Sequence, residues 1–401
     1  MQPRKPSIAL VVPGLSLGGG VPAVATFLYR VLSESKRYTP HVISLATSAR
    51  DQNSVRVISP ASWLKGVQLT NSVWQSVPYR HVGAVFTEIE FQRYRTRHVL
   101  HELLGQHDMV QIVAGTPTWA LVTKGYQGPV ALQVATLTAV ERVSRLRRTR
   151  GSRYIWLWLM TKIATAMEQA ALRKVDAVFV ENNWMFRHIS REIKPKTVIF
   201  APPGVDTDHF FPRMYESDGY ILSVGRFSDQ RKNIRLLFDA YHQLRQAVPQ
   251  APRLVLAGTA PTKLDWDHAV SLGISEWLKV HQSVSQEELA NLYRGASLFV
   301  LSSDEEGLGM VILEAMASGL PVISTRCGGP ETAVVQGITG YMTPVGDAHT
   351  LTLRMQELIQ DVSMRRRMGQ AGRQVAEERF SLDSAGKVYL EKYDVLLGTR
   401  G

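Results

Sequence analysis

A chain of 401 residues, 45% hydrophobic and 20% charged, is long enough for two domains and ordinary for a globular protein. The single cysteine, Cys327, excludes a disulfide framework and points to a reducing, cytoplasmic setting. The net charge of +11 is unevenly divided: residues 1–205 carry 26 Lys and Arg against 11 Asp and Glu, and the remainder 20 against 24. The first half is therefore expected to face something anionic, such as a membrane surface, a nucleic acid or an acidic acceptor.

The N-terminus is basic and then apolar, but the apolar run is short and glycines follow, so it reads as a first buried strand over 7–12. Pro13 to Gly20 is a glycine-rich loop, with Pro22 in the first turn of a helix reaching Leu32. Strand, glycine loop and helix make a cradle for a phosphate or sugar, because backbone N–H groups point at the ligand. It is not a dinucleotide fingerprint, and no P-loop lysine follows. His41 to Ala46 is a second strand, and residues 48–80 carry no readable pattern. A helix is expected up to Leu104, strands at 108–113 and 130–134, and a helix opening after Gly115-Thr116-Pro117-Thr118.

Residues 141–162 place six arginines, at 142, 145, 147, 148, 150 and 153, before Tyr154-Ile155-Trp156-Leu157-Trp158-Leu159-Met160. The apolar run is too short to cross a bilayer. A basic stretch beside an aromatic one fits an interfacial contact with an anionic membrane through residues 142–160. The competing expectation is a solvated basic loop before a buried helix. Strands follow at 177–180 and 198–200, and Pro202-Pro203-Gly204 is a rigid break that marks the domain boundary. Asp206-Thr207-Asp208 has the form of a metal-binding DxD motif. It trails the proline break with no strand to fix it, so no metal site is expected there.

The second half restarts the alternation of strand and helix. Tyr220 to Val224 is a strand, Gly225 to Asn233 a polar loop with three cations, and Ile234 to Arg245 a helix. Cations at a helix N-terminus oppose the macrodipole unless an anion such as a diphosphate sits there. Leu254 to Ala257 is a strand, and Ser285-Gln286-Glu287-Glu288 a capping-box helix start. From Leu301 to Val334 the chain reads as strand, acidic glycine loop, helix, strand and a second loop, Cys327-Gly328-Gly329-Pro330-Glu331, opening another helix. Two such loops put helix N-termini at one edge of a parallel sheet, where α/β proteins bind nucleotides and phosphates. Glu306 and Glu314 lie about 80° apart if they share one helix, at about 100° per residue, and converge better with Glu306 in the loop. Glu314 sits inside the apolar run MVILEAMA and needs a partner, for which a ligand hydroxyl serves. Three further helices are expected, over 351–359, 363–378 and 381–397.

These stretches together resemble the group 1 retaining glycosyltransferases (glycosyltransferase family 4, GT-B architecture). The marks are APPGVDTDHFFP, SVGRFSDQRKN, SQEELANLYRGASLFVLSS, EEGLGMVILEAMASGLPVI and CGGPETAVVQGITGYMTPVGD. The resemblance implies an α/β chain of two facing Rossmann-like domains: an acceptor-side domain over 1–203, a nucleotide-sugar domain over 204–380, and a helix over 381–401 crossing back to the first. By position, Arg226 and Lys232 would grip the diphosphate, Glu306 the donor sugar and Glu314 the ribose. Gly19, Gly20, Gly225, Gly307, Leu308 and Gly309 would line the donor. Where many relatives carry a histidine after the strand at 130–134, Ala135-Thr136 stand here, and Ser302 and Ala260 replace a proline and a glycine.

The expected activity is retaining transfer of a hexose from a UDP- or GDP-linked donor to a lipid or lipid-linked glycan. No cofactor, metal or nucleic acid would be needed, and the enzyme would be cytoplasmic and peripheral on the inner membrane face. A glycoside hydrolase using Glu306 and Glu314 is disfavoured by the cationic loop. An inactive GT-B fold binding membrane or nucleic acid is the other alternative.

Overall fold

The computed structural model describes residues 4–15, 19–48, 50–213 and 219–398. The chain forms two compact units, one of residues 1–203 with 386–401 and the other of residues 204–385. The first unit is built on eight strands: β1 (Ser7–Pro13), β2 (Thr39–Leu45), β3 (Leu69–Trp74), β4 (Val77–Val82), β5 (Met109–Ala114), β6 (Val130–Val134), β7 (Ala177–Val180) and β8 (Val198–Phe200). Their order is β3-β4-β2-β1-β5-β6-β7-β8, parallel except for the β3/β4 hairpin. That hairpin fills the stretch without a sequence pattern. Its turn takes Gln75 and Ser76 to positive φ, and β3 is exposed along almost its whole length. A strand as exposed as β3 has no reason to alternate apolar and polar residues.

β5 and β6 are wholly buried, yet each carries a glutamine, Gln111 and Gln133. The last helix, Leu382–Leu397, satisfies them from its portion in the first unit. Tyr393 Oη donates to Gln111 Oε1 at 2.7 Å, and Tyr389 Oη donates to Gln133 Oε1 at 2.8 Å and to the Ala201 carbonyl at 2.7 Å. Tyr389 also stacks on Phe179 of β7, with ring centroids 4.5 Å apart.

The basic stretch is not a loop. Short helices Thr138–Glu141 and Val143–Arg148 lead into a helix over Ser152–Lys174. That helix buries Leu157, Thr161, Ala164, Glu168 and Leu172, spaced by threes and fours. Ile155, Trp156, Leu159 and Ile163 are exposed on the opposite side, beside exposed Trp158 and Tyr154. The helix is thus apolar on two faces, with Trp156 57% exposed, and the competing reading of a buried helix carrying Trp156 and Trp158 does not hold. Buried Glu168 accepts from the Thr138 N–H at 2.9 Å, which ties this helix to the loop after β6; burial pushes its carboxyl up to about 7. No helix among the described residues is long and apolar enough to cross a membrane.

The second unit has six parallel strands: β9 (Tyr220–Arg226), β10 (Leu254–Thr259), β11 (Leu278–Gln282), β12 (Ala296–Leu301), β13 (Val322–Thr325) and β14 (Gly340–Thr343). The order is β11-β10-β9-β12-β13-β14. Alternate residues feed two cores. Ile221, Leu256, Val300 and Ile323 meet helices Ile234–Ala247 and Ala348–Gln360; Leu222, Val255, Phe299 and Val322 meet helices Met310–Ala317 and Val362–Phe380. Gly225 and Arg226 end β9 rather than begin a loop. The loop after β13 opens only a three-residue turn, Pro330–Thr332, instead of a helix.

Candidate donor-binding site

From β9 the chain winds outward through β10 and β11, then returns to β12 on the other side and winds outward through β13 and β14. The C-terminal ends of β9 and β12 are therefore a topological switch point, where loops part and leave a crevice. The two loops that leave it are the cationic loop, 226–233, and the acidic loop, 302–309.

They are joined residue by residue. Lys232 Nζ donates to Glu306 Oε1 at 2.6 Å, Arg231 Nη1 to Glu305 Oε2 at 3.1 Å, and Asn233 Nδ2 to Asp304 Oδ1 at 2.7 Å. The Asp304 N–H donates to the Arg231 carbonyl at 2.7 Å. Ser302 donates its hydroxyl to the Lys232 carbonyl at 3.0 Å. The mutual repulsion expected of the three cations is thus relieved by acids of the chain itself. Asp229 accepts from Arg231 at 2.8 Å. Burial would push its carboxyl up, but the Arg231 hydrogen bonds and charge outweigh that and hold it below the ordinary value. Arg226 is more open, its side chain 44% exposed and Nη2 3.6 Å from Asp229 Oδ2.

Glu306 sits in the loop and also accepts from Ser303 Oγ at 2.6 Å. Its main chain bridges to Gly328, so the β13 loop closes the third side. Gly329 is there by necessity: a Cβ would lie 2.3 Å from the Gly307 carbonyl oxygen. Gly309 takes φ 86° as the helix Met310–Ala317 begins. Leu308 is buried in the core, so its side chain is not available to a ligand. Gly225 stands beside Lys232, whose Cδ would lie 3.7 Å from an added Cβ. The Cys327 thiol is pushed well up by burial, then by Glu306, and stays protonated.

Glu314 is inside the helix, and its partner is Tyr293, whose hydroxyl donates to Oε2 at 2.8 Å. Burial pushes its carboxyl up to about 7, against the opposing effect of the Tyr293 hydrogen bond. Tyr293, Ser303, Asp304 and Gly329 were given no site role from the sequence. The glycine pair after Cys327 and the DEE run were visible, but their cross-loop pairing was not.

Gly19 and Gly20 belong to the first unit, after β1 at its own switch point, where β1 adjoins β5. Gly19 takes φ 96° before the helix Gly20–Glu34, and a Cβ on Gly20 would meet nothing within 4 Å. Ser16, Leu17 and Gly18 of this loop lie outside the described residues. Asp206 of the DxD sequence accepts from the Asp208 and His209 N–H groups, both at 3.1 Å, and so shapes a turn.

The two sheets with their switch points are those of the GT-B glycosyltransferases. Sucrose-phosphate synthase of Thermosynechococcus elongatus has this fold (TM-score 0.75, 20% identity, 98% of this chain and 100% of that one). So does Anabaena HepE in its complex with UDP and glucose (TM-score 0.72, 15% identity, 97% and 99%). Residues 205–375, which lie within the second unit, match the family described as "Glycosyl transferases group 1". Among sequence relatives is the GDP-mannose-dependent alpha-(1-6)-phosphatidylinositol monomannoside mannosyltransferase of Mycolicibacterium smegmatis. It is 27% identical over 72% of this chain and 77% of its own length. A D-inositol 3-phosphate glycosyltransferase of Thermobifida fusca is 32% identical over 44% of this chain and 45% of its own.

Proposed function

We propose that the protein transfers a hexose from a UDP- or GDP-linked donor to a lipid or lipid-linked glycan, with retention of anomeric configuration and without an obligatory metal. The observation that carries this reading is the convergence of Arg226, Lys232 and Glu306 at the ends of β9 and β12. A donor diphosphate replaces Glu306 as the partner of Lys232, and the exposed Arg226 turns onto the same phosphates. Glu306, released, accepts from a sugar hydroxyl, while Glu314 accepts from the ribose. Gly307 and Gly309 let the main chain approach the sugar.

The bond from the anomeric carbon to the diphosphate oxygen breaks, and the acceptor oxygen bonds that carbon on the same face. The departing phosphate oxygen takes the acceptor's proton. The residues contribute electrostatically, because Arg226 and Lys232 face the charge that develops on the leaving group. The exposed apolar face of the helix Ser152–Lys174, beside exposed Arg145, Arg150 and Arg153, supports an acceptor presented at an anionic membrane, with the enzyme peripheral to it. The mycobacterial relative, named for a phosphatidylinositol-linked acceptor, is consistent with this.

The test is incubation of the full chain with radiolabelled UDP-glucose, UDP-galactose and GDP-mannose, with and without bacterial lipid extract. Transfer to lipid with an α-linked product from an α-linked donor is expected. Neither transfer nor slow donor hydrolysis with any donor would leave an inert GT-B fold that binds membranes.

A further inference from the structure

The first unit has a cavity of about 360 Å³ at the edge of its sheet opposite the strand ends that lead to Gly19 and Gly20. It is bounded by the starts of β1, β2 and β4 and by His107, just before β5. The register sets Ile43, Arg80 and Asn71 side by side across β2, β4 and β3, and His41 lies two residues before Ile43 on the same face. Arg4 enters from the segment before β1. Four basic side chains, Arg4, His41, Arg80 and His107, therefore line one cavity, and no carboxylate lines it.

These groups are poorly compensated. Asp108 is the nearby acid, and it already accepts from the Ser7 N–H at 2.7 Å and the Ser7 hydroxyl at 2.9 Å. Buried Nδ1 of His107 has no hydrogen-bond partner, and its ring lies tilted by 42° against that of His41, with centroids 4.9 Å apart. Burial and then Arg80 lower the His41 pKa. Burial first, then His41, Arg80 and Arg4, lower that of His107 to about 4, with Asp108 opposing. The lining thus carries two arginine charges and no carboxylate, a field that favours an anion.

We propose that this cavity is a second ligand site, remote from the strand ends that carry Gly19 and Gly20, and that it binds a phosphate monoester. Arg4 and Arg80 supply charge, and Asn71 and the two imidazoles supply hydrogen bonds. The volume suits a phosphorylated small molecule or a single headgroup.

The experiment is a pH titration of the imidazole resonances of the histidine-labelled full chain by nuclear magnetic resonance. It is run with inorganic phosphate, with glucose 6-phosphate, and with phosphatidylcholine vesicles with or without phosphatidate. A bound dianion raises the pKa of His41 and His107 together, saturably. Arg80→Ser weakens that response about tenfold or more, the usual cost of a lost hydrogen bond to a charged group; Arg80→Lys weakens it less. Arg80 is exposed, so the fold is expected to survive. Lys232→Ala, which disables the proposed donor site, leaves the response intact and keeps the two readings separable. A response to the soluble phosphates assigns a free metabolite, and one to phosphatidate vesicles alone assigns a headgroup. Silence with every probe, or a response undiminished in Arg80→Ser, overturns the proposal.

Discussion

Lys232 Nζ lies 2.6 Å from Glu306 Oε1, although the two residues are 74 apart in the chain. Their side chains are only 17% and 11% exposed, so the pair is shielded from solvent and each charge depends on the other. Lys232→Ala strands Glu306, with Ser303 as a remaining donor, and lowers stability. Adding Glu306→Gln removes the stranded charge and restores much of that stability. Turnover behaves otherwise: both the single and the double variant are expected to lose about a hundredfold or more, because a cation is missing at the leaving group. Melting temperature and transfer rate, measured on the same three proteins, check this. Parallel recovery of both would reduce the pair to a structural one.

Glu314 offers a pH test. Its folded-state pKa of about 7 lies above the ordinary 4.5, so between these values the folded state binds more protons than the unfolded one. Its contribution to stability is full below the ordinary value and is lost as pH rises through 7. Glu314→Gln removes the titration. The melting temperature of the variant relative to wild type is therefore expected to climb from about pH 5 to about pH 7 and level off above. Ribose hydroxyls donate to the ionised form, so wild-type affinity for a nucleoside diphosphate should rise over the same range, while the variant's stays flat. Calorimetry at three pH values decides it, and a flat wild-type profile removes Glu314 from the ribose site.

Two glycines separate a steric role from a contact role. Gly329→Ala forces a Cβ against the Gly307 carbonyl, and is expected to cost about 1–3 kcal/mol in stability and to weaken donor binding by moving Gly307. Gly20→Ala adds a Cβ to open space. Stability should hold within about 0.5 kcal/mol, and any fall in turnover then reports contact with the substrate. An unchanged melting temperature for Gly329→Ala would show that the β13 loop is not held as described.

Much of the second unit was legible because its strands are short apolar runs closed by glycine and its helices carry plain caps. What escaped were β14, wholly buried but only four residues long, and elements that bury little. β11 is half-exposed at the sheet edge and β3 is exposed almost throughout, while β4 alternates mostly between half-buried and exposed positions. At the site, the cations announced themselves by their place at a strand end. Asp229 meets Arg231 within their own loop, but Glu305 and Glu306 acquire their cationic partners only when β9 and β12 become neighbours. Gln111 and Gln133 look misplaced in MVQIVA and VALQV until Tyr389 and Tyr393 arrive from the far end of the chain. Trp156 and Trp158 were conspicuous, but which face they take depends on Leu157, Thr161, Ala164 and Glu168 claiming the other.

That face leads to the membrane prediction. Ile155, Trp156 and Leu159 are 65%, 57% and 47% exposed on the side of the helix away from the core. Replacing all three by serine removes an apolar anchor without opening a cavity, so the melting temperature should hardly move. Arg145 and Arg150 stand in the basic stretch before it, and each basic residue near an anionic surface contributes about 1 kcal/mol. The wild-type chain is expected to co-sediment with anionic vesicles, to leave them as salt shortens the screening length, and to ignore neutral ones. The serine triple variant should bind weakly even at low salt, and Arg145→Ser with Arg150→Ser should shift release to lower salt. Transfer to a water-soluble acceptor should be unaffected in both, while transfer to lipid in vesicles falls. If the triple variant binds vesicles as wild type does, the exposed face serves some other partner, and the arginines alone account for any attraction to the bilayer.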